Sequence, residues 1–172
     1  GNVGEEQSDM TTKYAGTTEI DRTFYFYDVS GTATRAGTST VNKALYGAIL
    51  ENRTDDMGTT WKSSGYTKTI TYYKGDVGEE QIDIVRKYVG VAGLATDYTY
   101  YFYDVSGTPT RADGITTVNK ALCATQTERG AAVPTGFGTL SANTKSITYY
   151  KNNTGEEQSD YTVKYSGTTE ID

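Results

Sequence analysis

Short runs of alternating aromatic and polar residues set the pattern of this chain. In RTFYFYD (22–28), Phe24 and Phe26 fall on one side of an extended backbone, with Tyr25 and Tyr27 on the other. YTYYFYD (98–104) repeats the pattern with Tyr101 and Tyr103. Unbroken aromatic and Thr content predicts a strand for each run. Aromatics on both faces call either for cover on both sides or for Tyr rings lying across a half-wet surface. Tyrosine suits the second role, because its ring packs while its hydroxyl meets water. VSGT then predicts a turn, with Gly31 and Gly107 free to take positive φ and Asp28 and Asp104 accepting from turn amides. TATRA and TPTRA read as return strands, and Pro109 places the second at an edge or a strand start.

A second strand type follows in TKTITYYK (67–74) and TKSITYYK (144–151), carrying Tyr72, Tyr73, Tyr149 and Tyr150. Each leads through a Gly-containing turn into IDIVRKY or its equivalent. There Met10, Ile84 and Tyr161 share parity with Tyr14, Tyr88 and Tyr165, which predicts that they face inward. Asp9, Asp83 and Asp160, with Lys13, Lys87 and Lys164, fall on the opposite parity. Residues 46–68 and 123–145 are equal in length but share few residues in register, and read as an additional hairpin or a surface loop. TVNKAL ahead of them permits a helical turn, while Gly47, Gly58 and Gly65 argue against a long helix.

These blocks recur. GEEQSDMTTKY (4–14) returns as GEEQIDIVRKY (78–88) and GEEQSDYTVKY (155–165), and TVNKAL (40–45) returns at 117–122. The drift between copies implies small insertions near 89–96 and 113–115, where loops lengthen cheaply. Residues 1–77 form one copy, 78–154 a second, and 155–172 the start of a third. A chain that leaves off in phase with its own beginning is expected to be a window on a longer array, whose units stack on neighbours. The expected fold is all-β: tandem antiparallel hairpins in an elongated or spiralling sheet, as in a fibre, stalk or shell wall.

Composition narrows the partners. A net charge of −6 argues against nucleic acid and anionic membranes, and the apolar runs are too short to span a bilayer. Cys123 is the single cysteine and histidine is absent, so an internal disulfide and a Cys/His zinc site are both ruled out. A chain with 16 Tyr, 19 Gly and much Thr fits an extracellular or cell-surface repeat protein of bacterial type.

No catalytic constellation emerges. A nucleophile triad has no His to serve as base. Cys123 has no cationic neighbour in sequence, and Tyr46 holds its place in the other copy, which reads as a packed small residue. The recurring carboxylates Glu5, Glu6 and Asp9, then Glu79, Glu80 and Asp83, then Glu156, Glu157 and Asp160, suit solvated turns. Glu79, Glu80 and Asp83 are the weak Ca²⁺ candidates, and no other cofactor is implied. NRT (52–54) and NNT (152–154) fit the N-glycosylation triplet. The tyrosine rows Tyr25, Tyr27, Tyr72, Tyr73, Tyr101, Tyr103, Tyr149 and Tyr150 read as cross-strand ladders, each pair contributing about 0.2–1 kcal/mol. The competing use is a sugar-stacking platform, with Trp61 and Tyr66 presented from a variable loop.

The string Y-D-x-x-G-x-x-T-R at Tyr27–Arg35 and Tyr103–Arg111 resembles the YD repeat of Rhs-type toxin shells, insecticidal toxin-complex cocoons and teneurin shells. YYKGDVGEE resembles the same frame, with Lys74 in place of the Asp. The resemblance implies hairpin units winding into a spiralling sheet. The functional expectation is therefore a non-enzymatic structural segment, partnered by further copies of the same repeat in cis or head to tail. The alternative is an adhesin or carbohydrate-binding stalk that presents 46–68 and 123–145 to glycans.

Overall fold

The computed structural model describes residues 7–52, 61–89, 94–130 and 133–171. The fold is all-β, as the alternation predicts. In chain order the strands are β1 (Met10–Ala15), β2 (Thr18–Val29), β3 (Thr32–Arg35), β4 (Leu45–Asn52), β5 (Thr67–Lys74) and β6 (Gln81–Tyr88). They continue as β7 (Ala95–Val105), β8 (Thr108–Arg111), β9 (Leu122–Arg129), β10 (Thr144–Lys151), β11 (Gln158–Ser166) and β12 (Thr169–Glu170). One 3-10 turn, Thr38–Thr40, precedes β4.

All twelve strands join one antiparallel sheet in the order β1-β2-β4-β5-β6-β7-β9-β10-β11-β12. The path is open at both ends and does not close into a barrel. The short return strands β3 and β8 sit off it, on β2 and β7. β1 and β3 lie end to end along one flank of β2, as β6 and β8 do along β7. Pro109 falls in β8, opposite Asp104, on a strand with a single partner. Tight turns connect β2 to β3 and β7 to β8, with Ser30 and Gly31 at φ 53° and 82° and Ser106 and Gly107 at 54° and 83°. Two successive positive φ angles give the hairpin turn whose twist matches the strands.

The stretch 46–68 opens as strand rather than as loop, and that strand pairs antiparallel with β5. Residues 46–52 lie in β4, threaded between β2 and β5, and β9 repeats this between β7 and β10. One row therefore runs directly across the strands from β2 to β11: Phe26, Gly47, Tyr72, Ile84, Tyr100, Gln126, Ile147 and Val163. The apolar core lies on this face in two clusters. One holds Phe24, Phe26, Ile49 and Ile70, the other Tyr100, Phe102 and Ala124.

Among the described residues no second sheet covers the clusters; loop residues do. Trp61 packs edge-on against Phe26, Tyr46 and Tyr72, with centroids 5.0–5.3 Å apart. Its ring occupies the space a side chain at Gly47 would need, and a Cβ there would also stand 2.6 Å from the Thr71 carbonyl oxygen. In the second copy Ala124 replaces the glycine and the smaller Phe137 replaces the indole, resting on Phe102 at 5.2 Å. Small beneath large becomes medium beneath medium, so the filled volume is conserved.

Two expectations from parity are corrected. Met10, Tyr14 and Tyr161 are 44%, 59% and 52% exposed, because β1 and β11 lie near the ends of the sheet and no described loop covers them. Asp83 is buried rather than solvated. Pairing slips between Tyr72↔Ile84 and Tyr73↔Ile82, which leaves Asp83 as the extra residue of a bulge and turns it toward the aromatic face. The insertion at 113–115 is absorbed by a turn in which Asp113 Oδ1 accepts from the amides of Ile115 and Thr116.

Candidate functional site

The predicted tyrosine set splits into three environments. Tyr27 and Tyr103 are buried, and each hydroxyl donates to a backbone carbonyl, of Ser8 and of Ile82, at 2.9 Å. Tyr72 and Tyr149 belong to the aromatic face: Tyr72 lies under Arg86 at 4.5 Å, and Tyr149 stacks on Tyr161 at 4.5 Å. Tyr25, Tyr73, Tyr101 and Tyr150 stand half-buried on the opposite face. Burial raises the Tyr73 phenol, with Tyr25 beside it adding to the shift. Burial raises Tyr101 as well, helped by Tyr150 and Tyr73. The sheet thus carries a lidded aromatic face and an open Tyr/Thr face, with hydroxyl contacts such as Thr99–Thr127 and Thr148–Thr162 at 3.0 and 2.9 Å.

At the hairpin tips, Gly31 N donates to Asp28 Oδ1 and Gly107 N to Asp104 Oδ1, both at 2.6 Å. Beside the Asp28 tip is a polar groove of about 530 Å³ lined by Asp28, Ser30, Asn42, Lys43, Gly75 and Asp76.

Arg35 and Arg111 had drawn no role from sequence. Each closes the end of its return strand onto the strand lying end to end with it. Arg35 reaches Asp9 at 2.5 Å and lies 4.8 Å over the Phe24 ring; Arg111 reaches Asp83 at 2.5 Å and lies 4.7 Å over Tyr100. The clasp recurs because Asp and Arg occupy equivalent positions in both copies. Asp160 of the third segment instead pairs with Lys151 at 2.9 Å, whose side chain is 71% exposed.

Glu51 and Glu128 are buried carboxylates on β4 and β9. Ser64 Oγ and Thr67 Oγ1 donate to Glu51 Oε1 at 2.7 and 3.1 Å. Ser141 Oγ, Thr144 Oγ1 and Gln126 Nε2 donate to Glu128 at 2.7, 2.8 and 2.7 Å. These networks pin the returning end of each loop to the sheet. A signal for them exists in the sequence: Glu51/Glu128, Ser64/Ser141 and Thr67/Thr144 are in register between copies. Trp61 and Phe137 are not in that register, and only the surface each covers relates them. Trp61 faces the sheet, whereas Tyr66 is 46% exposed.

The Ca²⁺ candidates are engaged with protein. Glu80 accepts from the amides of Leu45 and Gly78 at 3.0 and 2.9 Å, Glu157 does the same for Leu122 and Gly155, and Asp83 holds Arg111. Glu79 is exposed. Among the described residues no group of three or more Asp, Glu or Cys side chains is arranged to hold a metal ion. Glu5, Glu6 and most of the NRT triplet lie outside the described residues.

Cys123 sits at the bulge in the β7–β9 pairing, half-buried, its Sγ donating to the Phe102 carbonyl at 3.3 Å. Burial, aided by the Asp104 carboxylate, pushes its thiol up to about 11. Because thiolate is the reactive form, iodoacetamide should label the native chain roughly 100-fold more slowly than the urea-unfolded chain near pH 8. Equal labelling rates by mass spectrometry would refute this burial.

Among the described residues no helix is long and apolar enough to cross a membrane. Comparison with protein families, curated proteins and solved structures finds no match to this chain.

Proposed function

We propose that this chain is a structural repeat segment of a long extracellular or surface fibre, stalk or shell, built by strand pairing and aromatic stacking between successive units. The observation that carries the reading is the repeated junction. β1–β2, β6–β7 and β11–β12 begin the same hairpin in the same register, with Tyr14↔Glu19, Tyr88↔Ala95 and Tyr165↔Glu170 paired. At the middle junction, where strands continue on both sides, Ile84 and Tyr100 pack into a shared aromatic face. A single unit leaves that face half-covered and its outer strands unpaired along one flank, so extension by like units is the way to complete it. The resemblance to YD-repeat hairpins supports the same reading, as does the inward use of Trp61 and Phe137, which spends the loops' largest side chains on the sheet itself.

The test is assembly. Electron microscopy and sedimentation of the chain should show concentration-dependent head-to-tail oligomers with a regular axial repeat. A chain that stays monomeric at the highest attainable concentration would remove the reading. Saturable binding on a glycan array, lost when Tyr66 or Tyr101 is changed to Ala, would favour the adhesin reading instead.

A further inference from the structure

The geometry points to strand exchange: β11 of one copy takes the place of β1 in a second copy and pairs with that copy's β2. The inference rests on the self-assembly proposed above and names the junction.

The two strands are near duplicates. QSDMTTKYAGTTEI (7–20) and QSDYTVKYSGTTEI (158–171) differ at three positions, Met10/Tyr161, Thr12/Val163 and Ala15/Ser166. Each starts its hairpin identically, with Ala15↔Thr18 matching Ser166↔Thr169. β1 meets β2 through Met10↔Phe24, Thr11↔Thr23, Thr12↔Arg22 and Lys13↔Asp21. β6 meets β7 in the equivalent register through Ile84↔Tyr100, Val85↔Thr99, Arg86↔Tyr98 and Lys87↔Asp97. The β11 strand is paired along one flank by β10 and, among the described residues, carries only the two-residue β12 on the other. Extending the internal register places Tyr161, Thr162, Val163 and Lys164 opposite Phe24, Thr23, Arg22 and Asp21 of a second copy.

Three observations favour that partner. First, Asp9 and Asp83 each hold the arginine of the neighbouring return strand, whereas Asp160 holds the exposed Lys151; an incoming β2–β3 hairpin brings Arg35 to Asp160. Second, Tyr161 already stacks on Tyr149, and the incoming Phe24 extends that row as Tyr100 extends the row of Tyr72 and Ile84. Third, β11 is the better mate. Tyr and Val replace Met and Thr on the packed side, and β11 is held in place by β10, whereas among the described residues β1 is held by β2 alone. Exchange is otherwise like for like, releasing β1 and the short β12. Because donor and acceptor edges differ, the contact is heterologous and propagates as a chain.

Disulfide trapping tests it. Tyr25 N donates to the Asp9 carbonyl, so 9/25 is a hydrogen-bonded pair and 12/22 a non-hydrogen-bonded one. At such a pair the Cα atoms lie about 4.5 Å apart, within disulfide reach. In a Cys123→Ala background, Val163→Cys with Arg22→Cys should oxidise to a ladder of covalent dimers, trimers and longer species on a non-reducing gel. Thr12→Cys with Arg22→Cys should close within one molecule, lock β1 in place and abolish assembly. As a check without substitutions, hydrogen exchange on the assembled wild-type chain should show β1 amides losing protection while β11 amides gain it. Assembly with no intermolecular disulfide, with the locked variant assembling as the unlocked does, would overturn exchange and leave the structural reading standing. A wild-type chain that never associates would overturn both.

Discussion

Raising the pH above about 10, the ordinary phenol value, is expected to unfold this protein cooperatively. Tyr27, Tyr100 and Tyr103 are nearly fully buried, and burial is the main cause raising each phenol. Around Tyr100, Arg111 pulls the other way without reversing the direction. The unfolded chain releases these protons near pH 10 and the folded chain keeps them to higher pH. Over that window the unfolded state binds fewer protons, so stability falls as pH rises. Each retained proton contributes a slope of about 1.4 kcal/mol per pH unit, and three buried phenols together reach ~4 kcal/mol per unit. Against a total stability of ~5–15 kcal/mol, one to a few pH units suffice. Tyr72, Tyr73 and Tyr101 shift in the same direction but add less, since water screens half-exposed rings. Cys123 begins the decline earlier, because its unfolded value lies lower. Phenolate absorbance and β-sheet circular dichroism should change together. Phenols that titrate one by one near 10, with the sheet signal intact, would show that the rings are not buried as described.

Replacing Glu128 with alanine should cost about 3 kcal/mol, and replacing Glu51 about 1–2 kcal/mol, in urea unfolding. The carboxylates occupy equivalent places, yet their surroundings differ. Glu128 receives three donors, from Gln126, Ser141 and Thr144, spread over both oxygens. Deleting it leaves buried Thr144 and Gln126 short of a partner, each at the cost of an unmade hydrogen bond. Glu51 receives its donors at Oε1, while among the described residues its buried Oε2 has no hydrogen-bond partner. Glu51 has one donor fewer because Ile49 stands two residues before it, where Gln126 stands before Glu128. Removing Glu51 therefore also removes a desolvated oxygen that no described residue offsets, which reduces the loss. Equal costs for the two variants would mean that the amide of Gln126 contributes nothing, and this account of the asymmetry would fail.

The sheet's hairpins were legible because their signals are local. Alternating aromatics, Ser-Gly between two such runs, and Pro109 on a four-residue return strand each act within a few residues. TKTITYYK and TKSITYYK span β5 and β10 residue for residue. The β4 and β9 strands were not legible in this way. Gly47, Ala48 and the residues around Cys123 have little strand preference of their own, and become strands by filling the space between two partners far away in sequence. The same limit hid the kinship of Trp61 with Phe137, since each is defined by the surface it covers.

By itself, the sequence determined the period of the strands, the turns and the recurrence of the unit, all of which follow from backbone sterics and side-chain alternation over a few residues. Only the tertiary structure decided which tyrosines are buried, which way Asp83 points, and which carboxylates are paired. Those outcomes depend on bulges that reverse alternation, and on a sheet with one layer, where burial comes from distant strands and loops rather than from a residue's own parity.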